Sequence, residues 1–422
     1  MDNLEPFRLH DNIICIDLKS FYASAECVTL NKDPLKYNLV VADTRRGKGS
    51  IVLAVSPALK AKGVPGRLRL FELPRDIDIH IAKPRMSYYI YLSNQILKMY
   101  LEYFSSTDIL VYSIDEVFID ATSYLKFYHK TPYELAKFLL AELYRRFKLL
   151  ATCGMGPNLL LAKFALDIEA KHNKDYIAEF NYDNLNTKLW PITDLKDVWG
   201  IGSGIEKRLH KLGINSMYDL AHFDIYQLIN EFGIMGEELY LHANGIDISK
   251  IQEQPVLSER KGYNVSHTLY KNTPKYQVEP ILKDMVLTQV ERLRKDNKMC
   301  QVVTLHIRFG RDEGLASYSK QHKLSQASIN VKEITSAIMA LFDDVPDAKI
   351  RKLGISLTHL KSLDDNQLDI FTYNKKNDTK LDYATDIVNT KFGENTVFKA
   401  SALKEDSQYF QRKKLIGGHN AK

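Results

Sequence analysis

The chain has 422 residues, of which 45% are hydrophobic and 26% charged. That is ordinary globular usage, enough for about two to four domains, and it argues against global disorder. No apolar run approaches the roughly 18 residues of a membrane helix, and MDNLEPFRLHDN lacks the pattern of a secretory leader, so a cytoplasmic protein without a membrane partner is expected.

The net charge of +6 is unevenly spread. Residues 1–253 carry 30 Lys+Arg against 32 Asp+Glu, residues 254–371 carry 18 against 14, and residues 372–422 carry 10 against 6. Such a split suits a protein that grips a polyanion with its C-terminal part and holds cations with its N-terminal part. Cys15, Cys27, Cys153 and Cys300 form no CxxC pair and have no zinc-ligand spacing with histidine, so small buried thiols are expected.

Residues 13–18, nearly all apolar with Asp17 near the end, read as a buried strand. A helix entered through Ser20 follows in SFYASAECV. Residues 31–84 hold the strand-like YNLVVAD and SIVLAVS and the short helical PALKAKGV, which predicts a small inserted subdomain. Residues 87–104 have helical spacing, 109–122 read as a hairpin around Ser113–Glu116, 132–147 as an amphipathic helix, and 159–171 as a helix after the turn GPN. The order predicts an α+β domain with an antiparallel or mixed sheet. Residues 181–253 look all-helical.

Residues 260–360 repeat a strand–helix pattern, β-α-β-β-α-β, a split βαβ sheet with one wet face. In CQVVTLHIRFG, Val303, Leu305 and Ile307 alternate with Thr304, His306 and Arg308, so the wet face is assigned His306 and Arg308, with Lys320 and Lys323. A merely solvated face is the bland alternative.

Three acids stand beside core strands: Asp17, Asp115 and Glu116. A single such acid is most simply a salt-bridge partner or a turn cap. Three at the ends of adjacent strands are costly without positive charge, and oxygen-only ligands favour Mg²⁺ or Mn²⁺ over zinc. Two such ions can clamp the attacking and leaving oxygens of a phosphoryl transfer. Lys163, just after GPN, and Lys60 are candidate phosphate binders, though either alone is more often a surface lysine. RRGKGS lacks Walker spacing, and GIGSG fails GxGxxG because Ile205 stands where the third glycine belongs. DVWGIGSGIEKRLHKLGI instead matches a helix-hairpin-helix, in which Gly200 and Gly202 let backbone N–H groups approach a DNA phosphate and Lys207 adds charge. In NQLDIF, Leu368, Ile370 and Phe371 would dock on the protein's own core or in a partner groove.

Together IDLKSFYASAE, SPALKAKGVPG, YSIDEVFID, GPNLLLAKFALDIEAK, DVWGIGSGIEKRL and QLDIF, in this order across residues 13–371, resemble the Y-family (translesion) DNA polymerases, in particular the UmuC-type bacterial branch. The resemblance implies a right hand: palm (1–30 and 85–180), small fingers (31–84), helical thumb (181–253), little finger (254–365), and a clamp-binding motif with a tail (366–422). It implies that Asp17, Asp115, Glu116 and the Leu18 carbonyl bind two Mg²⁺ ions, for which Mn²⁺ can substitute. Phe21, Tyr22, Lys60 and Lys163 would meet the dNTP, with Tyr22 crowding a ribose 2′-OH and Lys163 meeting the triphosphate. Where many members carry a tyrosine three residues before the basic fingers residue, this chain has Pro57, preceded by Ser56. Primer–template DNA would be the substrate, Gln367, Leu368, Ile370 and Phe371 would bind a β-type sliding clamp, and accessory subunits are a further expected partner class. The expected activity is low-fidelity, template-directed DNA synthesis past damaged bases. The alternative is an inactive DNA- and clamp-binding scaffold, and a nucleotide cyclase ranks last because it needs neither a helix-hairpin-helix nor a basic second sheet.

Overall fold

The unbroken apolar run Ile13–Ile16 is used where a strand is covered on both faces. In the computed structural model of the chain, β1 (Ile13–Leu18) is the middle strand of a five-stranded sheet. The structure describes residues 4–253, 260–363, 376–398, 400–403 and 409–421. These fall into two compact units, Met1–Val256 with Asn420–Lys422, and Leu257–His419.

In the first unit, α1 (Phe21–Thr29) leads from β1 into a three-stranded sheet built from β2 (Leu39–Ala42), β3 (Val52–Val55) and β4 (His80–Ala82), with β2 in the middle. The short helix α2 (Pro57–Ala61) follows β3. Ser56 caps it and is fully buried: its Oγ donates to the Tyr37 carbonyl at 2.8 Å and accepts from Leu39 N–H at 3.1 Å. The serine therefore ties the start of α2 to this small sheet, and Pro57 takes the first turn of the helix.

The chain returns through α3 (Met86–Leu101) to the hairpin β5 (Ile109–Val111) and β6 (Glu116–Asp120), then α4 (Tyr124–Tyr128) and α5 (Pro132–Phe147). Thr131 and Glu134 form a capping box at the start of α5. Next come β7 (Ala151–Gly156), α6 (Leu159–Phe164) and β8 (Ile177–Glu179). The sheet order is β5-β6-β1-β7-β8, antiparallel except for the β7–β8 pair, so the mixed sheet expected from the sequence is present. On one face α3 and α5 bury Tyr89, Ile96, Met99, Leu135 and Leu139. The other face is covered by α6. There the single helix read over 159–171 is in fact two kinds of turn, because after Phe164 the chain widens into a π-helix over Ala165–Ala170.

Five short helices complete this unit: α7 (Leu185–Lys188), α8 (Ser203–Lys211), α9 (Met217–Ala221), α10 (Ile225–Phe232) and α11 (Ile234–Ala243). They share a core of Leu195, Val198, Leu209, Ile214, Leu220, Leu228 and Leu239.

The second unit begins with β9 (Gly262–Thr273), α12 (Lys275–Lys295), β10 (Lys298–Phe309), β11 (Tyr318–Ser328), α13 (Val331–Asp343) and β12 (Ile350–Ser362). Its sheet runs β11-β10-β12-β9 with every pair antiparallel. Parallel β9 and β10 thus flank β12, the split arrangement read from the sequence. Both helices pack on one face over Val303, Leu305, Ile307, Leu353 and Ile355. Two later helices, α14 (Lys376–Phe392) and α15 (Tyr409–Lys413), belong to the same unit. Arg294 of α12 holds Asp386 at 2.6 Å and Lys413 holds Glu291 at 3.2 Å. Among the described residues no helix is long and apolar enough to cross a membrane.

Candidate active site

Register places Asp17 directly opposite Glu116 across the β1–β6 pair, so both side chains leave the same face of the sheet. Asp115 lies at the turn just before β6. Its carbonyl accepts from Leu18 N–H at 2.9 Å, and its carboxylate accepts from Ser113 Oγ at 2.7 Å. Helix α6 can lie close over this face because β7 presents Gly154 and Gly156. A β-carbon at either would run into the helix backbone, at Ala162 and Leu166 or at Leu161 and Ala162.

The close approach brings basic side chains down onto the acids. Lys163, buried, donates to Glu116 Oε1 at 2.7 Å and Oε2 at 2.8 Å, and lies 3.2 Å from Asp167. Lys171 lies 2.7 Å from Asp167 and 3.9 Å from Asp17. In a regular α-helix residues eight apart diverge by about 80° around the axis. The wider π turn between Lys163 and Lys171 removes most of that drift, so Lys163, Asp167 and Lys171 form one row facing the sheet. The row reads Glu116, Lys163, Asp167, Lys171, Asp17, alternating in sign.

Electrostatics follow from this order. Burial disfavours the Lys163 ammonium, but hydrogen bonds to Glu116 and the charge of Asp167 outweigh it and hold the lysine firmly protonated. Lys171 is likewise held above the usual lysine range, burial being overcome by Asp17 and Asp167. Asp17 is less well compensated. Burial pushes it up to about 7; Lys171 pulls it down, while Asp115 and Glu116 add to the rise.

Among the described residues, no three His, Cys, Asp or Glu side chains are gathered as a ready metal-binding group. Glu116 is turned to Lys163 and Asp115 to Ser113. The donor set nevertheless suits a hard divalent cation: three carboxylates, one of them under-compensated, with only oxygens among the carboxylate donors. The thiol nearest them, Cys15, is fully buried and pushed up by burial and by Glu116, so it is not a competing thiolate ligand.

Around this row the other candidates take different positions. Lys60 is exposed at the end of α2, yet its pKa is lowered by the surrounding protein despite the pull of Asp17, with Lys171 adding to the drop. Lys19 is lowered by burial and by Lys60. Lys60 thus lies within electrostatic reach of Lys19, Lys171 and Asp17, while the Lys19 ammonium sits 4.2 Å from the centre of the Tyr176 ring. The Lys163 ammonium is enclosed by Glu116 and Asp167. Tyr22 is half-buried, its phenol pushed up by burial and by Asp115. Phe21 is turned into the core, 3% exposed, which leaves only its backbone to face a ligand.

Gly200, with φ +92°, and Gly202, which precedes α8, have nothing within 4 Å of a notional β-carbon, and Lys207 is exposed beside them. The hairpin is thus open to a partner. In the second unit His306 and Arg308 lie on the uncovered sheet face opposite Gly354 and Lys352. Ser319 and Ser356 hold the His306 ring at 2.9 and 3.2 Å. Lys323 shares this face, but Lys320 does not. It pairs with Leu305 in register and reaches Asp344, just past the end of α13, at 3.4 Å, on the helix side. Its phase is that of buried Leu324, four residues on, a signal present in the sequence. Gln367, Leu368, Ile370 and Phe371 lie outside the described residues.

Sequence reasoning missed Lys171, Asp167 and Lys19. The first two had a signal, K-x₃-D-x₃-K from Lys163, the spacing of ion pairs along one helix face.

The chain is similar to known proteins over most of its length. The model described as the impB/mucB/samB family matches residues 16–167, its C-terminal domain matches residues 260–370, and a thumb-domain model described for DNA polymerase-iota matches residues 196–247. The "Putative UV-damage repair protein UvrX" of Bacillus subtilis is 33% identical, covering 97% of this chain and 98% of its own. A "DNA polymerase IV 2" of the same organism is 32% identical, covering 96% and 98%. A solved Y-family DNA polymerase chimera shares the fold with a TM-score of 0.65 at 23% identity, covering 82% of this chain and 98% of that one. The chain belongs to the impB/mucB/samB family, and with it the resemblance to Y-family translesion DNA polymerases carried by its motifs is borne out.

Proposed function

We propose that this protein is a template-directed DNA polymerase of low fidelity, which adds dNTPs to a primer 3′-OH and continues past damaged template bases. The observation that carries the reading is the Asp17–Glu116 register pair, with Asp115 at the adjoining turn and Lys171 3.9 Å from Asp17. In this reading the five-stranded sheet is the palm, residues 31–84 the fingers, 181–253 the thumb, and 254–365 the little finger.

Asp17, Asp115, Glu116 and the Leu18 carbonyl would hold divalent cations, Mg²⁺ in the cell. When bound, such ions neutralise charge on the reacting phosphate and lower the pKa of the attacking hydroxyl. The protein's own groups do the rest. Lys171, Lys60 and Lys19 meet the triphosphate and stabilise the charge that grows on the leaving pyrophosphate. Lys163 keeps Glu116 in place on the sheet, and Asp167 keeps both lysines of its row in line. Tyr22 occupies the space a ribose 2′-OH would need. Gly200, Gly202 and Lys207 take a DNA phosphate, while Arg308, Lys323, Lys352 and His306 line a face for the duplex backbone. The segment with Gln367, Leu368, Ile370 and Phe371 would bind a sliding clamp.

Primer extension with Mg²⁺ on an intact template and on one carrying an abasic site tests the reading. Extension is expected on both, with frequent misinsertion. Accurate synthesis that stops at the lesion would overturn the translesion part, and no synthesis on either template would overturn the polymerase.

A further inference from the structure

Behind Tyr22 lies a buried arrangement that the chemistry above does not use. Tyr22 and Glu26 sit one turn apart on α1, and Arg85 and Tyr89 one turn apart at the start of α3. The Tyr89 ring, fully buried, stacks on the Tyr22 ring with centroids 4.4 Å apart and planes inclined by 16°. Its hydroxyl donates to Glu26 Oε1 at 2.7 Å. Arg85 binds the same carboxylate through both arms of its fork, Nε to Oε1 at 2.9 Å and Nη2 to Oε2 at 2.7 Å. A third hydrogen bond from Nη2 reaches Thr29 Oγ1 at 3.2 Å. Glu26 is 6% exposed, so its carboxylate is buried, with both oxygens met by the Arg85 fork. Phe21 closes the group, its ring tilted against Tyr22 at 5.6 Å and edge-on to Tyr89 at 6.2 Å.

A blocking ring excludes a hydroxyl only if it cannot tilt away. An unsupported tyrosine can leave its rotamer for a penalty of only roughly two- to tenfold in population, which is little discrimination. Here tilting is opposed from behind. The Tyr89 ring bears on Tyr22, and Tyr89 is itself pinned at its far end by a carboxylate that Arg85 fixes. From this we infer that Glu26, Arg85 and Tyr89 form a clasp that positions Tyr22 and thereby sets how strongly the enzyme prefers deoxyribonucleotides. These are positioning residues, acting through Tyr22 without touching the substrate. The inference rests on the reading of Tyr22 as the group that meets the sugar.

The test measures kcat and KM for one dNTP and the matching rNTP on an undamaged primer–template, in the parent, Tyr22→Ala, Tyr89→Leu, Tyr89→Phe, Glu26→Gln and the Tyr22→Ala/Tyr89→Leu double variant. Melting curves verify folding, and the milder Tyr89→Phe and Glu26→Gln keep the test decisive if Tyr89→Leu fails to fold. Tyr22→Ala is expected to lower the dNTP/rNTP ratio of kcat/KM most. Tyr89→Leu should lower it about tenfold, the scale of one lost aromatic contact, and Glu26→Gln and Tyr89→Phe by about threefold. The change should lie in a gain for rNTP. The double variant should discriminate no worse than Tyr22→Ala alone, because the clasp works only through that ring. If Tyr22→Ala admits rNTP while the folded clasp variants keep the parent ratio, the clasp is merely structural and the inference fails. A double variant whose ratio falls further than that of Tyr22→Ala would also overturn it. Should Tyr22→Ala itself leave the ratio unchanged, it is the reading of Tyr22 that falls.

Discussion

The two large sheets of this protein treat charge in opposite ways. In the five-stranded sheet the functional face is roofed by α6, close enough that two glycines are needed beneath it, and Glu116 and Asp167 there are paired with lysines. In the four-stranded sheet the corresponding face is bare, and Arg308, Lys323 and Lys352 stand in solvent among serines, threonines and asparagine. Chemistry on a phosphate needs charges held out of water, where each is worth more and cannot wander. Holding a long polyanion needs weaker, exchangeable contacts that let it slide.

If that contrast is right, substitutions in the first sheet should stop the reaction and spare binding. Asp115→Ala or Glu116→Ala is expected to cut nucleotide incorporation by about a thousandfold or more, with DNA affinity by fluorescence anisotropy nearly unchanged. Residual synthesis near the parent rate would move the metal-binding acids elsewhere.

The two lysines of the α6 row should then part company. Lys163→Met leaves Glu116 buried without its partner and should cost about 3–5 kcal/mol of stability in the metal-free protein, read by chemical denaturation. Lys171→Ala, more exposed, should cost little stability and raise the KM for dNTP about tenfold, the scale of one charge-assisted hydrogen bond. The reverse pattern would restore Lys163 as the triphosphate contact.

The smallest effects belong to the open sheet. Arg308→Ala should weaken DNA binding a few-fold and reduce the slope of log affinity against log salt by about one. Lys320→Ala, on the helix side, should change neither. Equal effects from the two would mean that the faces have been assigned wrongly.

What the sequence revealed depended on how far each signal was local. The hairpin carrying Asp115 and Glu116, the amphipathic helix at 132–147 and the alternation along β10 are patterns within a few residues, and the structure contains all three. The pairing of Lys163 with Glu116 was not local. It depends on how closely α6 can settle, which Gly154 and Gly156 on another strand decide. Lys171 was hidden for a related reason, since its phase is set by a π turn that apolar periodicity does not announce. Lys320 was misassigned although Leu324 held the answer, because a polar edge strand offers few apolar residues from which to read its phase.

The position of β1 has a consequence for how this protein comes into being. Its residues are among the first made, while the strands that flank it, β6 and β7, are encoded about 100 and 135 residues later. At roughly 5–20 residues per second, the nascent chain carries an unpaired IICI segment for on the order of ten seconds before both neighbours emerge from the ribosome. A segment so apolar and so rich in isoleucine is the kind that chaperones shield. Slowed translation between β1 and β7 should therefore lower the yield of soluble protein more than the same delay placed after residue 180.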